Sequence, residues 1–187
     1  MLSEKDGEFL INLAKEAITK YTKNYEIIET PKDVESHLNE NLGVFVTLNK
    51  NKNLRGCIGY PEPVYPLLDA IINSAIAAAH EDPRFPSLKE EELKDIEIEV
   101  TVLTKPELIE VKDPKEYPSK ITIGKDGLII KKGYNSGLLL PQVATEHNMD
   151  NESFLENTCQ KAGLNPNCWL EEDTEIYSFQ GQIFHEK

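Results

Sequence analysis

Residues 43–60 read GVFVTLNKNKNLRGCIGY, and this stretch constrains the fold more than any other. GVFVTL carries the β-branched and aromatic residues that favour a pleated, half-buried surface. NKNKN is a polar turn, so LRGCIGY returns as the second strand of a hairpin. Strand side chains alternate, which puts Leu54, Gly56 and Ile58 on one face and Arg55, Cys57 and Gly59 on the other. Two positions along a strand span about 6.6 Å, a spacing that brings the Arg55 charge near the Cys57 sulfur. Gly56 and Gly59 leave the backbone bare, open to another segment or to a ligand.

The hairpin needs a covering layer, and the flanking sequence supplies it. Ser3 with Asp6 has the form of a capping box. Behind it Phe9, Leu10, Leu13, Ala14, Ala17, Ile18 and Tyr21 fall on one helical face. After the hairpin, Pro66 suits a first helical turn. Leu67, Leu68, Ile71, Ile72, Ala75, Ile76 and Ala79 then form a wide apolar stripe that ends near His80, because EDPRFP cannot continue a helix. KEEELKD reads as a short acidic segment, and IEIEVTVL (96–103) alternates strictly, with Glu97, Glu99 and Thr101 opposite the core.

The second half is less regular. KPELIEVKDPKEYPSK holds three prolines and reads as a connection, so a lobe division is expected near 104–120. ITIGKDGLIIKKGYNSGLLLPQ reads as a meander of short strands. Pro141 opens a helix across QVATEH, and a further helix starts at Asp150 and stops at Gly163. TEIYSFQGQIF is a final strand. Helices and strands do not alternate strictly, which favours an α+β fold: a mixed or antiparallel sheet flanked by helices, arranged as two interleaved lobes within one domain over 1–187.

Composition narrows the function classes. The net charge of −13 disfavours direct nucleic-acid binding, and KKG at 131–133 is too short to form a basic stripe. No apolar run approaches the ~20 residues of a membrane span. MLSEKDGEF carries acids and no apolar core of a signal peptide, so a cytoplasmic location is expected. No Gly-rich phosphate loop or dinucleotide fingerprint is present, and no cofactor is expected. The three cysteines, Cys57, Cys159 and Cys168, are odd in number and widely spaced, which with the expected cytoplasmic location argues against a disulfide framework. Cys159 shares an apolar helical face with Phe154, Leu155 and Ala162, while Cys168 beside Trp169 has no assigned role. The four histidines are scattered, and no metal site is expected.

Cys57 has two readings. One is a thiolate stabilised by Arg55, a nucleophile or redox centre. The other is a small buried residue in a crowded sheet. Arg84, held in DPRFP, suits carboxylate or phosphate recognition, or an ion pair with Asp82 that fixes the turn. Glu99 is a candidate proton acceptor, or part of a solvated sheet face. Gln142 at a helix start is a candidate for anion binding.

LRGCIG at 54–59 resembles the signature of the AMMECR1 family. EDPRFPSL (81–88), IEVTVLTKPELI (98–109), GYNSGLLLPQVATE (133–146) and ESFLENTCQKAGL (152–164) are similar to it as well, so the resemblance covers most of residues 43–187. The chain resembles the archaeal-type single-domain members of that family. The resemblance implies a two-part α+β fold and a catalytic or binding role for the signature, and it names no substrate. By the same analogy Memo-like and radical-SAM proteins are expected partners. The chain departs from the family pattern at Lys125-Asp126-Gly127, where a histidine is often found, and at Asn148-Met149-Asp150, where a tryptophan is often found. The first departure weakens any mechanism that draws a histidine from that loop, and a Cys57–His80 dyad is a minor reading. The expected site joins Cys57, Arg55 and Glu99 as candidate catalytic residues to Gly56, Gly59, Arg84 and Gln142 as candidate ligand-binding ones. It holds a small ligand or a partner segment; the alternative is a Cys57-dependent enzyme acting on a small anionic or carbonyl metabolite or a modified macromolecule.

Overall fold

Asn51 and Lys52 both adopt positive φ, 52° and 63°. That backbone matches the twist of two antiparallel strands and makes a tight hairpin turn. The computed structural model describes residues 1–186. It divides into two compact units, one of Met1–Leu103 with the residues from Gln182 on, the other of Thr104–Gly181.

The first unit contains α1 (Glu4–Asn24), β1 (Val44–Lys50), β2 (Asn53–Tyr60), α2 (Leu67–His80) and β3 (Ile96–Leu103). Ser3 caps α1 as expected: its Oγ accepts the Asp6 N–H, and the Asp6 carboxylate accepts the Ser3 N–H. The strands are antiparallel in the order β2-β1-β3, so β2 is an edge. Val44, Val46, Leu48, Ile98, Val100 and Val102 face one side and are buried in one cluster with α1 and α2. The opposite face carries Phe45, Thr47, Cys57, Glu99 and Thr101, with Thr47 directly between Cys57 and Glu99 in the register.

The second unit contains β4 (Glu107–Leu108), α3 (Tyr117–Lys120), β5 (Asp126–Lys132), β6 (Asn135–Leu139), α4 (Pro141–Glu146), α5 (Asn151–Lys161) and most of β7 (Glu175–His185). β5 pairs with both β6 and β7, and β4 adds to β7, all antiparallel. Leu128, Ile130, Phe154, Leu155 and Ile176 form its core. The α+β class is the expected one. ITIG at 121–124 is not a strand, however. Asp126 Oδ2 accepts the Thr122 N–H at 2.7 Å, and the Asp126 N–H returns to the Thr122 carbonyl, folding the segment into a turn.

The structure also corrects the reading of the cysteines: Cys159 and Cys168 are bonded to each other, with Cα atoms 6.0 Å apart. The separation of nine residues looks wide only along the chain, because α5 ends at Lys161 and the chain turns back at once. Cys168, given no role by the sequence, ties the Trp169 segment to α5, and both sulfur-bearing residues are buried.

Candidate functional site

LRGCIG forms the β2 edge, and a bulge organises it. Leu48 lies opposite Gly56 but Asn49 lies opposite Leu54, leaving Arg55 as the extra residue. A bulge re-aims its side chain. Arg55 therefore leaves the Cys57 face: its Nε and Nη2 donate to the Glu92 carboxylate at 3.1 and 3.0 Å. Lys50 Nζ joins the same carboxylate at 2.9 Å. Chiefly through the Arg55 hydrogen bonds, the Glu92 carboxyl is held down at about 2. The expected Arg55–Cys57 pairing gives way to a mostly buried Arg55–Glu92 pair, with Arg55 Nη1 buried and without a partner among the described residues.

The cation that Cys57 meets is Arg84. Asp82 is buried just beyond α2, and its Oδ2 accepts the Cys57 N–H at 2.9 Å. Arg84 donates to Asp82 from its own N–H and Nε at 3.0 Å each and from Nη2 at 2.8 Å, and Nη2 also reaches the Cys57 carbonyl at 3.3 Å. The Asp82–Arg84 pair thus stands where a neighbouring strand would offer its C=O and N–H to Cys57, and it closes that point of the sheet edge. The Arg84 hydrogen bonds, aided by the Cys57 N–H and opposed by burial, hold the Asp82 carboxyl well below the usual carboxylate range. Asp82 is 2% exposed at the side chain and Arg84 55%. A guanidinium has five N–H donors. Nε and Nη2 use three here, which leaves the two on Nη1 for a ligand.

Cys57 is the free thiol and is half-buried. Because its main chain turns outward to Asp82, Cys57 and Thr47 form a close, non-hydrogen-bonded strand pair. The Thr47 hydroxyl accordingly donates to Cys57 Sγ at 3.3 Å. On the far side of Thr47, Glu99 Oε2 lies 3.4 Å from His185 Nδ1. Cys57, Thr47, Glu99 and His185 make a polar row across the outer face of the first unit.

The two signature glycines serve the protein's own packing. A Cβ at Gly56 would sit 2.0 Å from the Ala78 carbonyl of α2, and one at Gly59 would sit 2.1 Å from the Val44 carbonyl of β1. The backbone is not bare there; helix and strand already fill the space. His80 is bonded to Thr22 at 2.9 Å and Ser87 at 2.6 Å, burial pushes its pKa down, and it makes no dyad with Cys57. Gln142 is an exposed residue of the second unit on the six-residue α4, too short to present an anion site. Asp82 had a sequence signal, the DPR spacing. Thr47 had one only through strand register, and Glu92 and His185 had none.

The AMMECR1 family model matches residues 11–184. The chain belongs to the AMMECR1 family. It is 54% identical over 185 residues to a protein of Methanothermobacter thermautotrophicus, covering 99% of this chain and 96% of that one. It is 53% identical over 191 residues to protein PF1979 of Pyrococcus furiosus, covering 100% and 90%. The crystal structure of protein PH0010 from Pyrococcus horikoshii is similar at a TM-score of 0.81 and 53% identity, over 100% of this chain and 94% of that one. In this chain LRGCIG is the β2 edge, closed at Cys57 by the Asp82–Arg84 clasp. Among the described residues no helix is long and apolar enough to cross a membrane.

Proposed function

We propose that the outer face of the β1–β3 sheet around Cys57 binds a small anionic ligand, or a carboxylate-bearing partner segment, with Arg84 as its anchor. One observation carries this reading. Arg84 is pinned by Asp82 and the Cys57 carbonyl, yet more than half of its side chain stays exposed. A pinned guanidinium loses little rotamer freedom on binding and presents a planar pair of donors to a carboxylate or phosphate. The Thr47 hydroxyl lines the same face, whereas the Glu99 carboxylate, itself an anion, stands on the far side of Thr47 from Cys57.

A second reading rests on the thiol. Cys57 Sγ accepts from the Thr47 hydroxyl at 3.3 Å, and Arg84 Nη2 reaches the carbonyl of the same residue at 3.3 Å. In this reading Cys57 attacks a small anionic or carbonyl-containing metabolite, or a modified macromolecule.

Calorimetric titration with inorganic phosphate and with succinate separates the two. Saturable binding that falls at least tenfold in Arg84→Gln and persists in Cys57→Ser supports the binding reading. No saturable binding to either probe, or an unchanged affinity in Arg84→Gln, rejects it. Alkylation of native Cys57 by iodoacetamide at a rate near that of a free thiol keeps the enzyme reading alive; a thiol that reacts only in denaturant ends it. A cytoplasmic location and a protein partner of the Memo-like or radical-SAM kind are part of the same proposal, tested by co-purification of the tagged chain from its own host.

A further inference from the structure

β2 is the outer strand of its sheet, and the Asp82–Arg84 clasp closes it at one point. The Cys57 N–H bonds Asp82 rather than β1, so the main chain of Cys57 faces outward. Alternate residues of a strand turn their N–H and C=O to the same edge. The register with β1 runs without a break from Gly56 to Tyr60, which turns Ile58 and Tyr60 toward β1 and Gly59 outward with Cys57. β1 fills the space that a side chain would take at Gly59, but no hydrogen bond among the described residues takes up its outward N–H or C=O.

The two outward positions lie about 6.6 Å apart along the strand and call for different partners. Gly59 offers one donor and one acceptor, as any open strand edge does. At Cys57 the Asp82 carboxylate already holds the N–H, and Arg84 Nη2 already holds the carbonyl. What faces out there is the Arg84 guanidinium, 55% exposed, with both N–H groups of Nη1 unbonded. An added strand can therefore pair with Gly59 and cannot continue past Cys57, where its next N–H would meet a cation. A chain that stops at this point carries one of two charges. Running parallel to β2, it brings an N-terminal ammonium to Arg84 and is repelled. Running antiparallel, it brings a C-terminal carboxylate, whose second oxygen stands where the next nitrogen would have been.

We infer that the β2 edge takes the C-terminus of an extended polypeptide. The penultimate residue exchanges both main-chain bonds with Gly59, and the terminal carboxylate accepts from Arg84 Nη1. Earlier residues run past Tyr60, whose ring packs on that of Tyr65 with centroids 4.9 Å apart. Tyr65 and Val64 are 45% and 57% exposed and give the apolar side chains of that segment a surface. Main-chain pairing supplies affinity and capture of the terminal carboxylate supplies selectivity. The inference rests on Arg84 as the anion anchor proposed above and narrows its ligand to a chain end.

The test uses a dye-labelled hexapeptide of alternating Thr and Val with a free C-terminus, read by fluorescence polarisation on the full chain, beside the same peptide ending in a carboxamide. Saturable one-to-one binding of the acid is expected, at least tenfold tighter than the amide and at least tenfold weaker in Arg84→Gln. Methylating the penultimate peptide nitrogen removes its bond to the Gly59 carbonyl and should lose at least tenfold. Methylating the last nitrogen, which points away from β2, should leave the affinity within about twofold. These comparisons change the peptide and leave the protein intact, so a variant that fails to fold cannot imitate them. If succinate binds through Arg84 while the peptide acid binds no better than its amide, or penultimate methylation has no effect, strand addition is overturned and the anion site stands. If neither succinate nor the peptide acid binds, both are overturned. An amide-capped peptide with Asp in last place that matches the free acid would assign the site to an acidic side chain and overturn the choice of a chain end.

Discussion

Asp82 accepts the main-chain N–H of Cys57 at 2.9 Å and, through the same carboxylate, holds Arg84 against the Cys57 carbonyl. One buried acid therefore satisfies the strand edge and positions the exposed cation. The two partners are not equivalent in energy. Removing Asp82 leaves a Cys57 N–H without its acceptor and releases Arg84, whereas removing Arg84 leaves a carboxylate that still holds the N–H. Asp82→Ala is expected to cost about 1–3 kcal/mol, the range for an unsatisfied buried group. Arg84→Ala should cost less, because its side chain is largely solvated. Urea unfolding of both variants checks the order; an equal or reversed ranking would show that the clasp does not support the edge.

Gly56 gives the second prediction. A methyl group there meets the Ala78 carbonyl of α2 at 2.0 Å, and a helix backbone cannot step aside as a side-chain tip can. Gly56→Ala should destabilise the protein by about 1–3 kcal/mol, as overpacking does. The larger Gly56→Val should not fold well enough to report on ligand binding at all. Wild-type stability in Gly56→Ala, measured by thermal unfolding, would mean that α2 does not press on β2.

What the sequence made legible follows the range of each interaction. IEIEVTVL and the α1 stripe were readable because alternation and helical spacing report burial within one element. The capping box at Ser3 and Asp6 was readable for the same reason. Arg55 was misplaced because a bulge, set by how the Asn51-Lys52 turn aligns the strands, shifts the alternation at that residue. In the sequence Gly56 and Gly59 look like open backbone because their neighbours, Ala78 and Val44, come from other elements. Arg84 was half readable: the DPR spacing pointed to Asp82, but the third corner of that contact, Cys57, is 27 residues away. The Cys159–Cys168 bond is invisible in the sequence because the chain reversal that joins them is a property of the folded second unit.

That disulfide is open to a direct count. Iodoacetamide added to unfolded, unreduced protein should label one cysteine, Cys57, and after reduction all three. Cys159→Ser should lower stability by about 2–3 kcal/mol through the short loop it opens. Three labels without reductant would contradict the bond.

Glu92 supplies a prediction with a sign in pH. Its carboxyl is held at about 2 in the fold by Arg55 and Lys50, against 4.5 as the ordinary value, so the unfolded chain binds the extra proton. Stability from this group is complete above about pH 4.5 and is lost as pH falls toward 2, because stability rises with pH wherever the unfolded state holds more protons. Glu92→Gln removes that dependence and also leaves Arg55 without its anion. At pH 7 the variant should be less stable by about 2–3 kcal/mol, the scale of a hydrogen bond to a charged partner. The gap between wild type and variant should then narrow between pH 4.5 and pH 2, as the wild type protonates its own glutamate and comes to resemble the amide. Urea midpoints at pH 7, 4.5 and 3 measure it. A gap that stays constant over that range would mean that Arg55 does not depend on the Glu92 charge, and that the bulge alone holds its side chain away from Cys57.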